Sequence, residues 1–172
     1  MKATIAIITN VILFIAFQQE PLTKVGTIKL PNSRENVELG QIRSFEKANF
    51  KYPSSTKNLQ HIYKLCNVLF GFQDYTRPIG YDVSLEGLRD RMVGEVEEIE
   101  ARKTKEIVDI VKYNNTKFLI RKAIRDDECN YYFISESRAG LGIKGGIQFK
   151  KADQQKAETI LNDFLKNFQF KK

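Results

Sequence analysis

The sequence predicts an α+β protein: an antiparallel β-meander packed by a long central helix and a C-terminal helix, in an α/β/α-type sandwich. Three observations carry this. Hydrophobic residues recur with period 3.6 from Ser84 to about Lys103, with period 2 from Ile107 to Phe149, and again with period 3.6 after Asp153. Strands and helices are segregated along the chain rather than alternating, which excludes a repeated βαβ plan. At 172 residues, with 42% hydrophobic and 28% charged residues, the chain fits one folded domain and is neither disordered nor a multispan membrane protein.

The elements follow in order. Lys2 precedes ATIAIITNVILFIAF, residues 3–17, which carries no charge. A bilayer span needs about 20 apolar residues, so this stretch reads as a secretory signal peptide over residues 1–18, followed by a single domain over 19–172. The expected location is outside the cytoplasm, in a periplasm or the extracellular space. The alternative is an N-terminal membrane anchor formed by an uncleaved signal. Residues 19–56 contain Pro21, Pro31 and Pro53 and read as irregular, with one strand from Lys24 to Leu30. Leu59, Ile62, Tyr63 and Cys66 fall at i, i+3, i+4, i+7 and predict a short helix after Ser54-Ser55-Thr56. A strand is expected over Val68–Gln73.

Ser84 is an N-cap candidate for the central helix, whose apolar stripe is Leu85, Leu88, Met92, Val96 and Ile99. Its glutamates Glu95, Glu97, Glu98 and Glu100 read as a solvated face. Four strands are then expected over residues 107–113, 117–125, 131–135 and 141–149. Asn115 is the expected positive-φ residue of the first hairpin. Asp153 is the expected cap of the last helix, with Ala157, Ile160, Leu161, Phe164, Leu165 and Phe168 facing the core.

Within RAGLGIKGGIQFKK, Gly140, Gly142 and Gly145 match G-x-G-x-x-G. A dinucleotide site needs a helix to open on those glycines so that its N-terminus meets the pyrophosphate. Here a strand follows them, and a kinase-type loop would need catalytic segments for which no chain remains. The glycines therefore read as sheet geometry, with Leu141, Ile143, Ile147 and Phe149 pointing inward and a bulge or tight bend at Gly145-Gly146.

Other chemistry is sparse. His61 is the only histidine, and with Cys66 and Cys129 it makes three scattered thiol or imidazole ligands, so no metal, no cofactor and no catalytic residue is expected. The two cysteines allow a disulfide, which would close a loop of about 60 residues and contribute roughly 3–4 kcal/mol; two separate buried thiols are the alternative. Asp126-Asp127-Glu128 lacks calcium-loop spacing and reads as a hydrophilic turn. Net charge is +7, and Lys117, Arg121, Lys122 and Arg125 are the densest candidate basic surface. Outside the cytoplasm that charge suits an acidic protein or another anionic surface rather than nucleic acid.

The helix start YDVSLEGLRDRM, the meander through NYYFISES and the closing QKAETILNDFLKNFQF together resemble the PsbP-like fold over residues 81–170. That fold is shared by an oxygen-evolving photosystem subunit, a Ran-binding protein and many bacterial exported domains. The resemblance implies a non-catalytic sandwich acting as a binding or accessory subunit. The expected function is thus an exported small binding or accessory protein without catalytic activity. Its partner is expected to be another protein, as for an immunity-type protein or an envelope accessory factor. Two alternatives stand beside it. One is a carrier of small apolar ligands or lipids with a cavity lined by Leu88, Met92, Phe118 and Phe164. The other is an enzyme whose carboxylates or tyrosines converge in space.

Overall fold

The computed structural model describes residues 23–30, 35, 38–52, 54, 56, 58–77, 84–99 and 104–171, with side chains of the central helix described to residue 94. Residues 1–18, read from the sequence as a signal peptide, Glu95 to Ile99 as side chains, and Glu100 lie outside the described set. The chain forms β1 (Gly26–Thr27), α1 (Leu39–Asn49), β2 (His61–Leu65), β3 (Val68–Thr76), α2 (Leu85–Ile99), β4 (Thr104–Tyr113), β5 (Thr116–Arg125), β6 (Glu128–Ser135), β7 (Leu141–Lys150), α3 (Gln154–Asn167) and β8 (Gln169–Phe170). Six strands make one antiparallel sheet in the order β2-β3-β7-β6-β5-β4, and β1 pairs with β8 separately.

Alternation along the strands sorts side chains to two faces. One face carries Phe70 and Phe72 from β3, Ile143, Ile147 and Phe149 from β7, Cys129, Tyr131 and Phe133 from β6, and Phe118 and Ile120 from β5, all buried. The inward stripe of α3, Ala157 through Phe168 as the periodicity predicts, covers it. Phe164 is the centre of this contact: its ring lies 4.8 Å from Phe70, 5.1 Å from Phe72 and 5.5 Å from Phe133, in tilted or edge-on arrangements. On the other face, Ile42 and Phe50 from and just after α1 pack on Leu69, while Glu86 of α2 reaches Lys117 at 3.0 Å. The layers are therefore α3, sheet, and α1 with α2. Ser84 caps α2 as expected, accepting from Gly87 N at 3.0 Å. Asp153 stands at the N-cap of α3, but its side chain makes no capping hydrogen bond.

The meander is built from tight turns. Tyr113 pairs with Thr116 and Arg125 with Glu128, so two residues close each hairpin. The residue that takes positive φ in the first is Asn114 (52°), not Asn115. Strand β6 begins at Glu128, three residues before the expected start, because the acidic turn shrinks to Asp126-Asp127.

The first half departs further from the sequence pattern. Residues 59–66 do not form a helix: His61–Leu65 is a strand paired to β3 from His61↔Phe72 to Leu65↔Val68. A run this short satisfies period 3.6 and period 2 alike, and pairing to a fully buried neighbour decides it. The strand expected over Lys24–Leu30 contracts to two residues, and helix α1 occupies part of the segment read as irregular. Its start is fixed by Glu38 N, which donates to the Gln41 side chain at 3.2 Å. The segment leaving α1 is anchored by Glu128, 1% exposed, which accepts from Lys51 N at 2.8 Å and Tyr52 N at 3.3 Å and pairs with Lys150 at 3.1 Å.

Each motif glycine has its own reason. Ala139 and Gly140 both take positive φ, 49° and 76°, and the Arg138 and Leu141 backbones exchange hydrogen bonds across them, as in a type I′ turn. A Cβ on Gly142 would stand 2.7 Å from Tyr75 Cζ, and one on Gly145 would stand 2.6 Å from Phe133 Cε1 and nearer still to the Gly71 carbonyl. No bulge interrupts β7: its register is continuous against β3 from Leu141 to Gln148 and against β6 from Lys144 to Lys150. Ile143, Ile147 and Phe149 point inward as expected, whereas Leu141, beside the turn, is 40% exposed.

Gly145→Ala is expected to destabilise the fold by about 3 kcal/mol, because Phe133 has no free space to enter. Gly40→Ala, in α1 with nothing within 4 Å of the added atom, should instead stabilise by about 0.5–1 kcal/mol. Urea denaturation midpoints of the two variants against the parent check both signs.

Candidate functional site

The residues singled out in the sequence do not converge. Strand alternation puts Lys117, Arg121 and Arg125 on one face of β5 and Lys122 on the other, so the four do not make one basic surface. Each charge also has a local partner. Lys117 pairs with Glu86 at 3.0 Å, Arg121 with Glu106 at 2.6 Å and Lys122 with Glu158 at 3.5 Å, while Arg125 lies over the Tyr52 ring at 4.0 Å. Both cysteines are free. Cys66 is exposed in the β2–β3 turn and Cys129 is buried on β6, with β3 and β7 between them. At least two strand spacings of about 4.8 Å separate their backbones, which exceeds the reach of a disulfide, about 7 Å between Cα atoms. Burial pushes the Cys129 thiol above its usual range. His61 stacks on Phe72 with ring centroids 5.0 Å apart. Among the described residues no three His, Cys, Asp or Glu side chains are grouped so as to hold a metal ion.

The carrier cavity is not assembled either. Phe118 and Phe164 are fully packed in the core beneath α3, whereas Leu88 and Met92 belong to α2 on the opposite side of the sheet.

Carboxylates and tyrosines meet in a cleft of 140 Å³ between α3 and the β4–β5 hairpin, floored by Val111, Ile120 and Leu161. Apart from Asp109, which lines it without a side-chain partner among the described residues, its polar groups are bonded to neighbours. Tyr113 donates to Asn162 Oδ1 at 2.7 Å, Tyr131 to Glu158 Oε1 at 3.3 Å, and Gln154 Nε2 also donates to Glu158 at 3.2 Å. Lys122 stands over the Tyr131 ring at 5.0 Å. Burial, followed by the Glu158 charge, holds the Tyr131 phenol far above its ordinary range, and burial also raises Tyr113. These phenols stay protonated at neutral pH and serve as hydrogen-bond donors. On the other face Tyr75 donates to the Ser135 carbonyl at 2.7 Å. Neighbouring Tyr132 is pushed up to about 12, first by burial and then by Tyr75.

A larger depression, 390 Å³ and open to solvent, lies between α1 and β2. Leu39, Ile42, Leu59 and Ile62 line it, with Arg43, Asn58 and Gln60 at its polar margin. Leu39 is 58% exposed although it opens a helix whose next turn, Ile42, is buried. Arg43 is held by Glu46 at 2.9 Å, which fixes the charged side of the rim. Sequence reasoning missed this site because α1 was not foreseen. The signal was Leu39, Ile42 and Phe45 at i, i+3, i+6, a one-sided stripe between two prolines.

With this geometry in view, the chain can be set beside solved structures. Its layout is similar to that of cyanobacterial PsbP. The solution structure of that protein from Synechocystis sp. PCC 6803 aligns with 70% of this chain and 84% of its own length, at a TM-score of 0.44 and 7% identity. The likeness is one of layout, and no site residue is carried across it. No protein-family profile and no curated protein sequence matches the chain.

The Tyr132 shift has a stability consequence. The folded state holds this proton more tightly than the unfolded chain, whose tyrosine value is about 10. The contribution of Tyr132 to stability is therefore fully present below pH 10 and is lost as the pH rises from there towards 12. Tyr132→Phe should flatten that decline, read as the urea midpoint against pH; an unchanged slope would contradict the assignment.

Proposed function

We propose that this chain is an exported small binding or accessory protein without catalytic activity, and that it engages another protein through the depression between α1 and β2. The observation that carries this reading is Leu39, a large apolar side chain held 58% exposed at the edge of an apolar hollow with a charged rim. Apolar anchors entering such hollows supply most of the energy at protein interfaces, while the polar rim sets register. An immunity-type protein or an envelope accessory factor falls in this class. The excess of basic residues, +7 overall, favours an acidic partner.

Two observations favour binding over the alternatives. The cleft that gathers tyrosines and carboxylates is small, and Tyr113, Asn162, Lys122 and Glu158 in it are already committed to partners, which leaves Asp109 at its margin without an acid or base beside it to work with. The apolar interior beneath α3 is filled by interlocking rings, which leaves a lipid or apolar ligand no volume there. Export rests on the charge-free stretch after Lys2. No helix among the described residues is long and apolar enough to cross a membrane.

A photo-activatable crosslinker placed at Leu39 is expected to yield one discrete protein adduct in the native host. The same probe at Asp163, on the exposed side of α3 across the sheet, should yield none. Equal labelling from both positions, or from neither, would overturn the site. For export, N-terminal sequencing of the protein from its native compartment should find a chain that begins close to residue 19. Recovery of the intact chain, Met1 to Phe17 included, from the cytosol would refute it.

A further inference from the structure

The two ends of the sheet differ. Strand β2 has its outer edge partly occupied, since Glu35 N donates to Lys64 O at 3.0 Å and the Glu35 side chain pairs with Lys64 at 2.6 Å. Strand β4 has a long edge, Thr104 to Tyr113, with β5 as its neighbour on one side. The hairpin closes at Tyr113↔Thr116 around two residues, so Tyr113 and every second residue before it direct backbone groups at β5. Thr104, Glu106, Val108, Ile110 and Lys112 then direct theirs outward. Among the described residues those groups meet no backbone partner beyond β4. Exposed edges of this length are ready templates for another strand unless charge or shape opposes pairing.

The side chains of this edge are arranged to accept a copy of themselves. Lys105, Ile107 and Asp109 stand in a row on the α3 side, all exposed, and Ile107 is 37% exposed. Neither Lys105 nor Asp109 makes an ion pair or side-chain hydrogen bond among the described residues, although Asp109 contributes to the field that raises Arg89. We propose that two copies of this chain pair antiparallel through β4, centred on Ile107, to form one continuous sheet. In that register Ile107 faces Ile107 of the second copy, and each Lys105 faces an Asp109. The backbone bonds fall between Glu106 and Val108 and between Thr104 and Ile110, which are the residues with outward groups. Ile107 then occupies a non-hydrogen-bonded pair, where opposed side chains come closest. A register moved by two residues, centred on Val108, sets Ile107 against Asp109 and leaves Lys105 against Val111. Centring on Asp109 opposes two carboxylates. The charge pattern thus selects one alignment, and the two-fold axis makes the contact closed.

Sedimentation velocity of the full-length chain across a concentration series tests this. The parent is expected to show a concentration-dependent dimer. Lys105→Asp and Asp109→Lys each place like charges opposite one another at both ends of the contact, and should weaken dimerisation at least about tenfold. The double exchange, Lys105→Asp with Asp109→Lys, should restore it. Circular dichroism confirms that each variant is folded, so loss of dimer is read on intact protein. In a Cys66→Ser background, Ile107→Cys should form a disulfide-linked dimer on mild oxidation, whereas Val111→Cys, which stands far from its own copy in this register, should not. A parent that stays monomeric at every concentration, a dimer indifferent to both reversals, or a double exchange that fails to restore it would overturn the proposal.

Discussion

The structure depends on one close approach. Phe133 lies over the strand position of Gly145, where a side chain has no room, and this brings its ring against Phe164 of α3 and beside Phe70 at 6.3 Å. Three strands and a helix are joined through that cluster. Because interiors pack at crystal-like density, a sheet face this rich in aromatic rings needs a matching helix and leaves few alternatives for its height. Placement of α3 in turn sets where the chain leaves it. Phe168 meets Phe118 at 5.9 Å and Phe170 at 5.0 Å, and β8 then pairs with β1, tying the described start of the chain to its end.

The second half of the fold was legible because its signals are local and agree with one another. Alternation in β5 and β7, turn residues between the strands, and the α3 stripe each specify the same arrangement. The first half was not, for a nameable reason. Residues 59–66 carry both periods, and what decides between them is the Val68–Thr76 strand beside them. Helix α1 has a narrow stripe and a glycine in its first turn. It is held instead by contacts distant in sequence: Ile42 and Phe50 with Leu69, and the buried carboxylate of Glu128 on the backbone that follows. Non-local partners of this kind leave no periodic trace.

The same division applies to function. A strand does follow the glycine spelling, as the sequence indicates, yet the role of each glycine came only from space: one makes a turn and two lie beneath rings. Charge density along the chain was a poor guide to charge density on the surface. Lys117, Arg121, Lys122 and Arg125 are neighbours in sequence, but a two-residue period deals them to two faces and supplies carboxylates to three of them. The depression beside α1 could be found only after α1 itself, since its walls come from two elements that the sequence did not place together.

The strand order has one further consequence, for how the chain reaches this state. Strands β4 to β7 pair with their sequence neighbours through turns, and such contacts form with little loss of chain freedom. The seam between β3 and β7 is different: Leu69 meets Gln148 from the other half of the molecule. Closing so long a loop costs entropy before any contact repays it. The meander is thus positioned to assemble first as a template, and the β2–β3 hairpin with α1 joins an edge already present. Until it does, β7 is itself an open edge, exposed along Ile143, Ile147 and Phe149, and this interval is when the young chain is most vulnerable to pairing with the wrong strand.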